Sequence, residues 1–339
     1  MTQAASSRPA ATAGSARSVR LVRLTAIILC IFGAGVLTWQ FYRFLLVFPA
    51  QTALAFALEI PLVVVGFVLV RLVRPVRAPS LVWSAAALAR GGTAAAGCAL
   101  LANRGLIGLW AKGAGIRFAA DWSASLSAPL NEEILKLCGV LMIVLAAPLV
   151  ISGPLDGMIY GALTGLGFQA TENVTYGLNN IILSGATDPA TAVANSVYLR
   201  VGLTALGSHW TMTAVAGAGV GLLVARGRAA GLPATACLLG AMAMHLLFDA
   251  PGLAIIVRVA VNLAAVVGLY LVLRHAYLHR ARSQLAGWAA AGVISAEEQT
   301  GLLRRRRWGG LARPSSEVER GRLRARHREL VTDLDRAAA

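Results

Sequence analysis

Two adjacent carboxylates and a lysine, Glu132, Glu133 and Lys136, sit inside an apolar run from Trp122 to Val150 that is long enough to cross a bilayer. Each charged side chain at mid-membrane costs roughly 2.5–3.5 kcal/mol on insertion scales, so such groups face a bundle interior or a water-filled cavity and pair with one another. Lys136 follows Glu133 by three residues and Glu132 by four, one helical turn in either case, so it can neutralise one of them. The other carboxylate is left over. An unpaired carboxylate at this depth points to a functional site.

Similar apolar runs recur along the chain, and in hydrocarbon only helices and closed barrels satisfy their own backbone. The 339 residues are 57% hydrophobic and only 14% charged, with mean hydropathy +0.68, well outside the soluble range. The expected fold is all-α, a polytopic transmembrane bundle of about eight spans: 22–46, 52–73, 80–102, 122–150, 154–178, 191–225, 231–250 and 252–274. Arg90-Gly91-Gly92 interrupts the third span, and 104–118 is semi-apolar, suited to the membrane interface. Gly161-xxx-Gly165 and Gly217-xxx-Gly221 mark close helix crossings.

The division that follows is a disordered basic N-terminus (1–20), a transmembrane domain (21–274, with its motif-bearing core at 120–250) and a basic cytoplasmic tail (275–339). The net charge of +16 comes from arginines beside the apolar runs, where they set topology and meet anionic headgroups, rather than from a nucleic-acid surface. Clusters at Arg8–Arg23, Arg71–Arg77, Arg226–Arg228 and Arg274–Arg282 fall on one side of an eight-span chain, which makes both termini cytoplasmic in a multi-pass protein of the cell membrane. Arg104, Lys112 and Arg117 fall on the other side. In the tail, Ser295 and Glu298 read as a capping box, Arg304–Trp308 as a headgroup-contacting patch, and 317–336 as a solvated helix. Cys30, Cys98, Cys138 and Cys237 all lie in apolar runs without CxxC spacing and read as small buried residues.

The later spans hold few other ionisable residues. Span five has Glu172 beside Asn173, span six Arg200 and His209, span seven His245 and Asp249, and span eight Arg258. Singly, each has a bland explanation as an ion pair, a packed imidazole or an interhelical hydrogen bond. Four successive helices each carrying such a group argue for one shared polar site. Carboxylates and imidazoles in a wet pocket suit hydrolysis, with a glutamate as general base and a histidine serving the leaving amine or the oxyanion. Alternatively His209, His245 and a glutamate such as Glu172 bind a divalent metal, zinc by ligand type, and leave one carboxylate as base. HExxH, GxSxG, a rhomboid-type Ser/His arrangement and a paired-aspartate GxGD context do not occur. An ion- or proton-coupled transporter, or a non-catalytic membrane partner, would use the same residue types and is the competing class.

Four motifs in order, Glu132-Glu133-xx-Lys136, Phe168-xxx-Glu172-Asn173, Arg200 followed by His209, and His245-xxx-Asp249, resemble those of the PrsW family of intramembrane proteases. More distantly they are similar to the CAAX prenyl protease and bacteriocin-processing group. The resemblance covers about 120–250 and implies cleavage of a membrane-anchored protein, such as an anti-sigma factor, on its extracytoplasmic side. It implies Glu132 and Glu133 as paired catalytic glutamates, Glu172 as the acidic position of the second motif, and His209 and His245 as the catalytic histidines. Lys136, Asn173, Arg200 and Asp249 take supporting places. The chain departs from the distant group at Lys136 (arginine there), Glu172 (histidine) and Asp249 (often asparagine).

Overall fold

The computed structural model describes residues 13–303 and 317–338, and these are helical with no strand among them. Helices α1 (Ala13–Val47) and α2 (Pro49–Leu72) form a long hairpin hinged at Phe48, with Ile27, Ile31, Val64 and Val68 exposed on its outer face. Ser80 opens α3 (Leu81–Arg90) by accepting a hydrogen bond from the Trp83 amide, and α3 runs through a π-helical turn at Gly91–Ala95 into α4 (Ala96–Ala114). Then come α5 (Ile116–Ala146), α6 (Pro154–Leu183), α7 (Pro189–Val197), α8 (His209–Arg226), α9 (Gly231–Asp249), α10 (Ile255–Ala290), α11 (Ala296–Leu302) and α12 (Glu317–Ala338).

Five stretches of helix among the described residues are long and apolar enough to cross a membrane: Ala16–Val47, Pro49–Leu72, Leu81–Ala114, Ala205–Asp249 and Ile255–Ala290. The last but one holds both α8 and α9, which fold back on each other at Gly227, where φ is +57°. Helices α5 and α6 fall outside the five because they carry the polar residues of the interior.

Helix α6 is the centre of the bundle. It is buried along most of its length, packs along α8, and touches α2, α3, α5 and α7. Glycine makes the α6–α8 crossing close. A Cβ at Gly161 would collide with the Thr213 carbonyl, one at Gly217 with the Gly157 carbonyl, and one at Gly165 would meet the His209 carbonyl. The two small-residue motifs of the sequence are thus two sides of one seam. Backbones this close bring Glu172, three residues past Gln169 on α6, within reach of the first residue of α8.

Several boundaries differ from the sequence reading. The third span does not end near 102; its helix continues to Ala114, so 104–114 extends that span rather than forming a separate segment. The Arg90-Gly91-Gly92 interruption is a π-turn within a continuous helix, because a Cβ at Gly91 would collide with the Thr164 carbonyl of α6. The expected span 191–225 is not one helix. It breaks between Val197 and His209 into a π-turn (Tyr198–Leu203) and a 3₁₀ turn (Ala205–Gly207), with Ser208 extended. Side chains take up the carbonyls freed there: Asn262 donates to Gly207 O at 2.8 Å and the Trp210 indole to Ala205 O at 2.8 Å. Helix α1 begins at Ala13, inside the stretch expected to be unstructured, while 1–12 lie outside the described residues.

The tail is not a solvated appendage. Helix α10 continues past 274 to Ala290, and the Ser295/Glu298 capping box opens α11 as its spacing predicts. Helix α12 buries Val331, Leu334 and Ala338 against Tyr277, Ala281 and Leu285 of α10 and against Val76 and Leu155. Asp335 pairs with Arg74 at 2.9 Å and with Arg77, and accepts a hydrogen bond from the Tyr277 hydroxyl. Arg74 also reaches Asp156 at 2.7 Å. Burial alone would lower the Arg74 pKa; the paired Asp156 and Asp335 outweigh it and hold the guanidinium well above its ordinary value. Mixed charges along 317–336 hid this narrow apolar face. The Arg304–Trp308 patch lies outside the described residues.

Candidate active site

Four helices and one broken segment bring the sequence-selected residues together. On α5, Lys136 Nζ lies 2.6 Å from Glu133 Oε1 and 3.8 Å from Glu132 Oε2, so the short ion pair is the three-residue one. Glu133 is fully engaged. Its Oε1 also meets His245 Nδ1 at 3.0 Å, and its Oε2 accepts the Thr213 hydroxyl at 3.1 Å. Glu132 is not. Its Oε1 accepts from Asn103 Nδ2 at 2.8 Å, and its buried Oε2 has no hydrogen-bond partner.

The helix break at Ser208 puts His209 in the first turn of α8, with Nδ1 3.1 Å from Lys136 Nζ and 3.8 Å from Glu132 Oε2. Its Nε2 is 2.6 Å from Glu172 Oε2. Arg200, from the π-turn, binds Glu172 Oε2 and donates through Nε to Asn173 Oδ1 at 2.7 Å. On α9, His245 Nε2 lies 3.7 Å from Glu132 Oε2 and 3.3 Å from Asp249 Oδ2, without a well-aligned hydrogen bond to either. The two imidazoles meet edge to face, 4.9 Å between centroids, and Phe168 packs on His209.

Burial grades across the cluster. Glu132, Glu133, Lys136, His209 and His245 are almost wholly enclosed, whereas the side chains of Glu172, Arg200 and Asp249 keep 19%, 21% and 24% of their surface. The exposed rim is therefore on the Glu172–Arg200–Asp249 side. Arg258 is apart from the site: it donates to the Leu253 and Phe248 carbonyls and closes the end of α9.

The carboxylate–imidazole pairs fix the ring protons. With Glu172 on Nε2 of His209, the proton belongs on Nε2 and the Nδ1 lone pair faces inward. With Glu133 on Nδ1 of His245 a proton belongs there, and Nε2, between Glu132 and Asp249, can carry a second proton or a lone pair. Both inward nitrogens face Glu132 Oε2. The donor set fits a divalent cation, since Glu132, His209 and His245 offer three ligand atoms within 4.8 Å of one another, and two of those residues carry buried unpartnered atoms there. Glu172, a possible ligand on the sequence reading, lies 2.6 Å from the outer nitrogen of His209.

Three participants escaped the sequence reading. Glu59, a carboxylate in the second apolar run, carried a signal that was passed over; it accepts from Asn173 Nδ2 at 3.1 Å. Asn103 stands at the expected end of span three, and its polarity could have marked it. Thr213 gave no signal, because threonine is tolerated anywhere along a buried helix.

Membrane-length helices around an enclosed carboxylate–imidazole centre define the class as membrane proteins with a buried polar site in their interior. The family model described as PrsW family intramembrane metalloprotease matches residues 79–278, from just before α3 into α10, and the chain belongs to that family. No curated protein and no solved structure gives a significant match.

Proposed function

We propose that the chain hydrolyses a peptide bond of a membrane-anchored protein, with Glu132, His209 and His245 around the reacting atoms. The observation that carries this is Glu132 Oε2, a buried carboxylate oxygen without a hydrogen-bond partner that faces one nitrogen of each imidazole. Glu133 has no free oxygen to offer water. Its role is to hold His245 and Lys136.

In the reaction, Glu132 Oε2 takes a proton from the attacking water as its oxygen bonds to the scissile carbonyl carbon. Collapse of the tetrahedral adduct breaks the C–N bond, and the proton passes from Glu132 to the departing amine. His245 lies between Glu133 and Asp249, so it can be held as imidazolium with Nε2–H toward the oxyanion, or as the Nδ1–H tautomer with Nε2 as a ligand. Glu172 and Arg200 keep His209 in one orientation. If the family's metal dependence extends to this chain, Glu132, His209 and His245 would hold the ion, zinc by ligand type; Glu132 would then serve as a ligand in place of the base, and the ion would supply a more acidic water and a Lewis acid for the carbonyl.

The same reading makes this an eight-crossing protein: α1, α2, α3–α4, α5, α6, α7–α8, α9 and α10. Both termini are cytoplasmic in the cell membrane. In support, Arg23 binds the Ala146 carbonyl at the end of α5, Arg77 the Val150 carbonyl, Arg74 binds Asp156 at the start of α6, and Arg280 reaches the Ala338 carbonyl. Gly221, near Arg226, packs on Gly153. The arginine-rich segments therefore gather at one end of the bundle, as the positive-inside rule requires of a cytoplasmic face. By family resemblance the substrate is of the membrane-anchored anti-sigma type.

The test is cleavage of membrane-anchored candidate substrates by full-length protein in liposomes, comparing wild type with Glu132→Gln and His209→Ala, with and without chelator. Loss in both folded variants supports the reading, and cleavage that persists in both overturns the site. A pump or carrier would instead leave substrates intact and move ions between the two faces.

A further inference from the structure

Glu59 lies on α2, outside the 79–278 stretch that matches the family model, yet it is joined to the site by an unbroken chain of polar contacts. Glu59 Oε2 accepts from Asn173 Nδ2 at 3.1 Å. Asn173 Oδ1 accepts from Arg200 Nε at 2.7 Å, the terminal nitrogen of Arg200 holds Glu172 Oε2, and Glu172 Oε2 holds His209 Nε2 at 2.6 Å. An amide has one donor end and one acceptor end. Arg200 can only donate, so Asn173 must turn its oxygen to Arg200 and its NH₂ elsewhere; a carboxylate across the helix interface accepts it. With an apolar residue at 59, that NH₂ would be stranded, because Asn173 is 1% exposed.

Glu59 itself is 4% exposed, and its Oε1 has no hydrogen-bond partner among the described residues. It borders an open, mostly apolar groove of about 220 Å³ between α2 and α6, lined also by Phe56, Ile60, Val64, Thr171 and Val174. Among the described residues, Asn173 is the hydrogen-bond donor to Glu59.

We propose that Glu59 is a positioning residue for the hydrolysis: through Asn173 it sets Arg200, and through Arg200 it fixes Glu172 on His209. Its kinetic readout rests on the hydrolase reading above, whereas its spectroscopic readout rests on geometry alone.

The test uses full-length protein in nanodiscs, labelled with ¹⁵N-histidine, the His209 signals being identified by their loss in His209→Ala. Glu59→Leu should displace the His209 Nε2 resonance and lower kcat about 10-fold or more, the usual cost of losing an outer contact to a site. KM should stay within about twofold, since no substrate contact is removed. Asn173→Asp, which sets two carboxylates face to face, should do the same. Adding Glu59→Gln to Asn173→Asp exchanges donor and acceptor, and should restore both the resonance and kcat. A folded Glu59→Leu protein with an unmoved His209 resonance, or a folded double variant with no recovery, overturns the proposal. If wild type cuts no substrate while the resonances move as expected, the hydrolase reading fails and the positioning link stands.

Discussion

Glu132 Oε2 and His245 Nε2 lie 3.7 Å apart in an enclosed interior, and neither atom has a hydrogen-bond partner. Leaving one buried polar group unsatisfied costs about 1–3 kcal/mol, and two facing each other is a cost that a purely structural pair would have shed. Glu133, one residue further along the same helix, shows the contrast, with three partners on two oxygens. Glu132→Gln should therefore lower the cleavage rate by about 10²–10⁴-fold, the range of a general base, without loss of fold. Glu133→Gln should lower thermal stability as well as rate, because it loosens Lys136 and His245 together. Initial rates in liposomes and melting curves in detergent separate the two.

The same pair predicts a metal response. Full-length protein purified without chelator should carry about one divalent ion per chain by elemental analysis, with zinc expected from a set of two imidazoles and one carboxylate. His245→Ala and Glu132→Ala should each lower that content, and Glu172→Ala should lower it less, since Glu172 touches only the outer nitrogen of His209. Dialysis against chelator should abolish cleavage, and added zinc should restore it. Retained activity in metal-free protein would assign the water activation to Glu132 alone.

Much of this site was legible in the sequence because charges are so costly in lipid that each one stands out. Glu132, Glu133, Lys136, His209 and His245 were selected on that ground, and they meet. What the spacing could not show was which glutamate is free. That depends on Thr213 and Asn103, which reach Glu133 and Glu132 from other helices, and on ring orientations set across helices. The break before His209 was hidden for a related reason: 191–225 is apolar enough for one span, and its carbonyls find partners in side chains such as Asn262, Trp210, Thr204 and Thr211, whose roles depend on the fold. Glycine spacing revealed the α6–α8 seam, but not that the two motifs face each other.

Lys136 is an enclosed ammonium beside Glu132 and Glu133, at 2.6 Å from Glu133. Removing one partner of a buried ion pair leaves an uncompensated charge and costs about 3–5 kcal/mol. Lys136→Met should accordingly unfold at a markedly lower temperature in detergent. Combining it with Glu133→Gln should recover part of the loss, because the remaining amide can still face His245 and Thr213 without a net charge. A double variant no more stable than Lys136→Met would show that the pair is not the source of the cost.

The tail offers a test far from the chemistry. Asp335 on α12 is held by Arg74, Arg77 and the Tyr277 hydroxyl, and around it Val331 and Leu334 fill the space between α10 and the loop after α2. Asp335→Ala leaves Arg74 with Asp156 but strips one carboxylate from a buried network, at about 3–5 kcal/mol for a pair of this kind. That is more than the small apolar face of α12 can offset. Helix α12 should detach, and limited proteolysis should cut between 303 and 338 much faster than in wild type while the fragment ending near Ala290 stays intact. Asp335→Glu, which keeps the charge, should slow the cutting again. Equal cutting rates in wild type and Asp335→Ala would mean that the apolar contacts of Leu334 alone hold the helix, with Leu334→Ala then the variant that releases it.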